Sequence, residues 1–255
     1  MPTIFIWIFI IHWMISLFSQ TFFMHRYSAH SMFTMSRGWE KFFFVFSWLT
    51  QGSSYLSPYA YGIMHRMHHA YADTEKDPHS PKYNGNIFRM MWKTKVIYSD
   101  ILHNRIPVEE KFKKNVPQWH EFDEFASSTF SKIAWVSFYG CIYAGIIEFN
   151  HVEPWAYFFL VPMFLCHCLM SPVHGAIVNY FAHKYGYTNF ETEDTSKNML
   201  FPISIYMMGE GYHNNHHKFS NRPNFGVKWH KLEFDPVWPI IWALDKIRVI
   251  RLRSA

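Results

Sequence analysis

The feature that most restricts how this chain can fold is a set of long stretches without Asp, Glu, Lys or Arg. Crossing about 30 Å of hydrocarbon takes roughly 20 apolar residues of helix. Thr3 to Met24 is uncharged and dense in Ile, Phe and Trp, and it has neither a leading positive charge nor a small-residue cleavage site. It reads as a true span rather than a removable signal. Ile133 to Ile147 is shorter, but Phe130 and Phe149 extend it while Lys132 and Glu148 can snorkel at its ends. Pro154 to Ala182 carries no formal charge, and Pro162 and Pro172 predict kinks or breaks within it. A fourth uncharged stretch, Phe42 to Met64, is apolar only in its first part and then broken by Gln51, Gly52, Ser53, Ser54, Ser57, Pro58 and Gly62. It reads as a re-entrant or interfacial segment.

The expected fold is therefore an all-α integral membrane protein in one domain over residues 1–255. It has three spans, about 3–24, 130–149 and 154–182, a re-entrant segment at 42–64, and a helical cap made of 65–128 and 183–255. Basic residues set its orientation. Arg26, Arg37 and Lys41 follow the first span, Lys111, Lys113, Lys114 and Lys132 precede the second, and Lys184 follows the third. This predicts a membrane protein whose N-terminus faces outward and whose cap is cytosolic. Charged residues are only 17% of the chain against about 25% in soluble domains. The net charge of +5 is too small and scattered for a nucleic-acid partner. It suits an anionic membrane surface or acidic protein, with Lys111 to Lys114 and Lys246, Arg248, Arg251 and Arg253 as the basic surface. Cys141, Cys166 and Cys168 sit in apolar runs and read as small core residues.

Seventeen histidines are the outlier. His25 and His30 close the first span, His65, His68 and His69 form one His-x-x-His-His triplet, and His213, His216 and His217 form another. Asn179 and His183 end the third span at a spacing of four. Residues i, i+3 and i+4 share a helix face, so each triplet can aim three imidazoles at one point. His25 and His30 are about 140° apart on an ideal α-helix and need a distortion, a helix end or two ions to act together. Nine imidazoles are more than twice what a closed four-coordinate site uses, so two ions are expected. Imidazole suits iron, copper, zinc and nickel alike; iron is chosen because the chemistry below needs a redox ion. Asn179 can help hold a metal-bound water, and Asp73, Asp77 and Glu210 can accept the second N–H of ligand imidazoles. All ligands must lie on one side of the bilayer, which again makes 42–64 enter and leave from the same face. His79, His103, His120, His151 and His230 fall outside the ligand spacings and read as surface or capping residues. His167 and His174 read as structural groups satisfied by neighbouring helices.

These blocks resemble the membrane-bound fatty acyl desaturases, most closely the stearoyl-CoA (delta-9) desaturase-like branch with its bacterial and cyanobacterial members. The matching text is His25-Arg-Tyr-Ser-Ala-His30, His65-Arg-Met-His-His69 leading into Asp77-Pro-His79, Asn179-Tyr-Phe-Ala-His183, and Gly209-Glu-Gly-Tyr-His-Asn-Asn-His-His217. The four blocks run in the family's order over residues 25 to 217. The resemblance implies a di-iron centre bound by nine histidines, an asparagine holding a water, and oxygen-dependent insertion of a cis double bond into a saturated long-chain acyl-CoA or acyl-lipid. Members with four spans carry a crossing before the first box, and this chain starts at what looks like their second. The spacing from Gln51 to the second box is longer than in the stearoyl-CoA enzymes, so acyl-chain contacts there do not transfer. No electron-transfer domain is fused, so electrons are expected from a separate carrier, a ferredoxin or a cytochrome b5-type protein with its reductase. A hydroxylase or oxidative decarboxylase on the same scaffold is the alternative. A divalent-metal transporter is disfavoured because it places ligands at mid-membrane.

Overall fold

The computed structural model describes residues 2–228 and 232–253. Thr3–Ser19 is a helix without one charged side chain, and it runs unbroken into a π-helix, Gln20–Ala29. Trp7, Ile10 and Ile11 project from it uncovered, as expected where hydrocarbon replaces water. Thr129–Asn150 is a second long apolar helix, started by Ser128, whose hydroxyl accepts from Ser131 N–H, and ended at His151 in the left-handed conformation. Phe130 and Phe149 at its ends are 74% and 87% exposed, placing large apolar rings where only lipid would be a favourable neighbour.

The stretch expected to span over 154–182 is instead two helices, Pro154–Cys168 and Met170–Phe181, meeting at 88°. The break falls at Leu169, not at either proline. Pro162 sits inside the first helix. Pro172 occupies the first turn of the second, where its missing N–H would have had no helical partner anyway. Among the described residues two helices are thus long and apolar enough to cross a membrane, and a third if the bent pair forms one span.

Arg37–Gln51 is capped by Ser36, which accepts from Trp39 N–H, and stops at Gly52. There φ is +55°, and a Cβ would lie 1.8 Å from the Tyr139 hydroxyl oxygen, so only glycine fits. A turn at Gly52–Ser54 reverses the chain into the helix Pro58–Tyr71, capped by Ser57. Gly62 lets this helix settle against the π-helix, since a Cβ there would stand 2.5 Å from Ser28 Oγ. The chain from His30 to His65 therefore leaves and returns to one place.

Within the cap, 65–128 is mainly helical, including Ile87–Leu102 and His120–Ser127. The described part of 183–255 is not. It holds only the short helices Ile203–Tyr206, His213–Lys218 and Val237–Lys246, and it ends in Ile250–Leu252, a strand antiparallel to Phe33–Met35. Polar side chains take over the backbone's hydrogen bonding here. Asn214 accepts from the N–H groups of Asn189 and Phe190 and donates to the Phe190 carbonyl, while Asn215 donates to the Phe225 carbonyl and Glu233. An aromatic cluster including Phe22, Phe23, Phe33, Phe44 and Phe225 packs beneath the first histidine box.

Candidate metal centre

The π-helix resolves the first box. Its hydrogen bonds close over five residues rather than four, and His30 N–H donates to the His25 carbonyl at 3.1 Å. Residues five apart therefore stack, and the two rings lie 5.0 Å apart between centroids.

The triplets behave differently from the expectation that each converges on one point. His65 and His69 join His25, His30 and His216 in one group, whereas His68 joins His183, His213 and His217 in another. Within each group, one ring nitrogen from every member lies within 4.8 Å of all the others. The reason is helical geometry. Successive residues are turned by about 100°, so adjacent His68 and His69 must diverge, as must His216 and His217, while i and i+4 pairs stay together. Each triplet straddles two clusters.

Carboxylates set the tautomers. His25 Nδ1–H donates to Glu210 at 2.7 Å, His68 Nδ1–H to both oxygens of Asp77 at 2.9 and 3.0 Å, and His217 Nδ1–H to Asp194 at 2.7 Å. Burial works against the ionised form of Asp77, but hydrogen bonds from His68 and the His79 backbone outweigh it and hold its carboxyl at about 2. Burial likewise opposes Glu210, yet His25, Arg26 and Thr21 keep it below the usual range. An ionised carboxylate only accepts, so each of these imidazoles keeps a proton on Nδ1 and turns Nε2 toward the cluster. Burial, then the neighbouring rings, pushes His217 far below its ordinary pKa, so it carries no second proton.

The Nε2 atoms face one another. His68 Nε2 lies 3.3 Å from His217 Nε2, and His183 Nε2 lies 3.0 Å from His213 Nε2. In the other cluster Nε2 separations are 2.9 Å for His25 and His216, and 3.0 Å for His65 with His30, His65 with His69, and His216 with His69. Nitrogens this close need a proton or a metal cation between them. Nitrogens at right angles around one ion, each about 2.1 Å from it, would stand about 3.0 Å apart. The donor set fits two transition-metal ions.

Of the three carboxylates expected to support ligands, Asp77 and Glu210 touch imidazoles directly. Asp73 stands 3.6 Å from His183 Nδ1 and works through Thr195, whose N–H and hydroxyl both donate to it at 2.6 Å. Asp194 was not anticipated; its only sequence signal is a position in the polar loop after His183. Nor was the role of Arg26, which the charge bias counts as a surface cation. It is fully buried, donating to Asp235 at 2.7 Å and stacked 3.8 Å over Phe225. Gly209 and Gly211 flank Glu210 for steric reasons, since a Cβ would meet the Asp235 carboxylate at 2.5 Å and the Ser204 backbone at 2.7 Å.

His79 corrects another expectation. It is buried, not at the surface, with its ring 4.2 Å from that of His68 and neither nitrogen bonded among the described residues. Burial pushes it down to about 3, so it is neutral. His103 and His151 do cap helices and His120 is exposed, while His230 lies outside the described residues. His167 pairs with His12, Nδ1 to Nδ1 at 2.6 Å, and His174 packs edge-on against Trp13.

A cavity of about 450 Å³ reaches both clusters. His65, His213, Asn179 and Glu210 line it, together with apolar Leu17, Met64 and Val178, and the exposed Lys95 and Lys132 border it.

The sequence model of the family described as "Fatty acid desaturase" matches residues 2–244. The chain belongs to the fatty acid desaturase family. Similar proteins include the Delta-9 desaturase-like 2 protein of Arabidopsis thaliana, 27% identical over 89% of this chain and 69% of its own. The sn-1 stearoyl-lipid 9-desaturase of Anabaena variabilis is 26% identical over 92% of this chain and 78% of its own. The hex-5-enoyl-(acyl-carrier protein) acetylenase of Moorena producens (strain JHB) is 27% identical over 93% and 73%. This desaturase-family chain is mostly helical, with membrane-length helices and histidine clusters suited to metal.

Proposed function

We propose that the protein is an oxygen-dependent acyl desaturase of the delta-9 type, inserting a cis double bond into a saturated long-chain acyl-CoA or acyl-lipid. The observation that carries this is the pair of clusters of facing imidazole nitrogens beside one largely apolar cavity. His25, His30, His65, His69 and His216 would hold one iron ion, and His68, His183, His213 and His217 the other. Two iron ions would supply, with dioxygen, the oxidising power to take hydrogen from an unactivated methylene, which no side-chain acid or base can do.

The remaining work belongs to the chain itself. Leu17, Met64 and Val178 offer apolar surface, worth about 0.8 kcal/mol per buried methylene, that draws in the acyl tail and excludes water. The cavity's walls fix which carbons lie beside His65 and His213. Glu210, Asp77 and Asp194 lock the ring orientations, and Asn179, which lines the same cavity, would hold a water. In this reading 3–24 and 130–149 cross the bilayer, 154–182 crosses as a bent pair, 42–64 is re-entrant, and 65–128 with 183–255 caps the centre on the cytosolic side of the cytoplasmic membrane. Two electrons per turnover come from a separate carrier protein.

The test is to load the purified protein with iron, reduce it chemically, and add oxygen with candidate acyl substrates. Mass spectrometry should show loss of two hydrogens; gain of one oxygen would make it a hydroxylase instead. His68→Ala and His216→Ala should each abolish product while the protein stays in the membrane. Full activity in either variant would refute the assignment.

A further inference from the structure

Six of the nine histidines are buried, and His30, His69 and His217 are half-buried residues. They line two clefts that differ in charge. His30 lines a cleft of about 790 Å³ with Lys218, Phe219, Arg222 and Arg253, and no acidic side chain among the described residues joins them. His69 and His217 line a second cleft, about 600 Å³, with Glu191, Glu193 and Asp194, and Lys218 stands between the two clefts and lines both.

The basic cleft is assembled from distant parts of the chain. Pairing of Ile250–Leu252 with Phe33–Met35 carries Arg253 to the first box, where its N–H donates to the Met32 carbonyl at 3.0 Å. Lys218 and Arg222 arrive from the helix and loop after the third box. All three cations are exposed, and none forms an ion pair among the described residues. Phe219, 39% exposed, adds an apolar contact between them. An apolar patch with a charged rim is the usual make-up of a transient protein interface. The acyl cavity shares no lining residue with this cleft and has its own cations, Lys95 and Lys132. An anionic acyl head group therefore has a different place to sit.

We propose that the basic cleft at His30 is the docking surface for an acidic one-electron carrier protein, which reduces the centre across the cleft wall that His30 helps to form. The inference rests on the oxidative reading of the site. Each encounter moves one electron from the reduced carrier to a ferric ion, and two encounters serve one turnover. Complementary charge steers the carrier to His30, and Glu191, Glu193 and Asp194 turn it away from His69 and His217.

The test follows oxidation of a reduced, acidic two-iron ferredoxin by the ferric, iron-loaded protein in an anaerobic stopped-flow instrument. Arg222→Glu with Arg253→Glu should lower the second-order rate constant at low salt by about tenfold or more and flatten its ionic-strength dependence. Reduction by a small uncharged flavin radical and the iron content should stay unchanged, and Lys111→Glu should have no effect. Arg222→Gln, which keeps the side chain polar, should give a smaller loss in the same direction and serves if the double variant fails to fold. A wild-type rate in the charge-reversed proteins overturns the proposal. So does protection of the cleft by coenzyme A with a raised KM for acyl-CoA, which would make it a head-group site. Product formed with chemical reductant while ferredoxin kinetics ignore these residues sinks the docking site alone. Absence of product with any reductant sinks the oxidative reading.

Discussion

Asp77→Asn separates the two clusters. Asp77 is fully buried, and both of its oxygens are committed twice. Oδ1 accepts from His68 Nδ1–H and His79 N–H, and Oδ2 accepts from His68 Nδ1–H and Asp73 N–H. Asparagine fills the same space but must turn its NH₂ toward one of those backbone N–H groups, leaving a buried donor unsatisfied at about 1–3 kcal/mol. It also removes the charge that holds the His68 ring in its orientation. Loss of such a support typically weakens metal binding 10- to 100-fold, or about 1.4–2.7 kcal/mol. His68 belongs to the cluster with His183, His213 and His217, and the other five ligands do not touch Asp77. Cobalt titration of the metal-free protein, followed by absorbance against a competing chelator, should show one ion held as in the wild type and one weakened by roughly those factors. Asp73→Asn, which acts on His183 only through Thr195, should cost less. Two ions bound with wild-type affinity, or both weakened equally, would refute the two-cluster account.

Gly62→Val should force the helix Pro58–Tyr71 off the π-helix, because its Cβ would enter Ser28 Oγ at 2.5 Å. Overpacking of this kind costs about 1–3 kcal/mol, and thermal unfolding together with metal content should both fall. A protein with unchanged metal content would show that this approach does not place the second box. Asp123 offers a pH test. Burial raises its carboxyl to about 6, against hydrogen bonds from Tyr55 and Ser57. Because the folded value exceeds the unfolded one, the fold binds the extra proton. The stability this contributes is complete below about pH 4 and is lost as pH rises through about 6, roughly 3 kcal/mol for a shift of two units. Asp123→Asn should therefore unfold at a higher temperature than the wild type at pH 7.5 and lose that advantage near pH 4. A constant difference across the range would contradict a raised carboxyl.

Membrane-length helices and the histidines that gather into clusters could be read from the chain because both depend on local quantities. Apolar length sets transfer cost, and spacings of three and four set which side chains share a helix face. Even the difficulty with His25 and His30 was visible as a spacing of five, and the π-helix answers it with a five-residue repeat. What the spacing could not say is which imidazoles share an ion. His65 and His69 meet His216, and His68 meets His217, across about 150 positions, a pairing decided by how Pro58–Tyr71 and His213–Lys218 face one another. The same holds for Asp194 under His217, for His79 buried against His68, and for Arg26 sealed against Asp235. A charged or polar residue near a span end looks the same in sequence whether it meets water or a partner 209 positions away. Burial is a property of the assembled elements, and so are the bend at Leu169 and the charge of the two clefts.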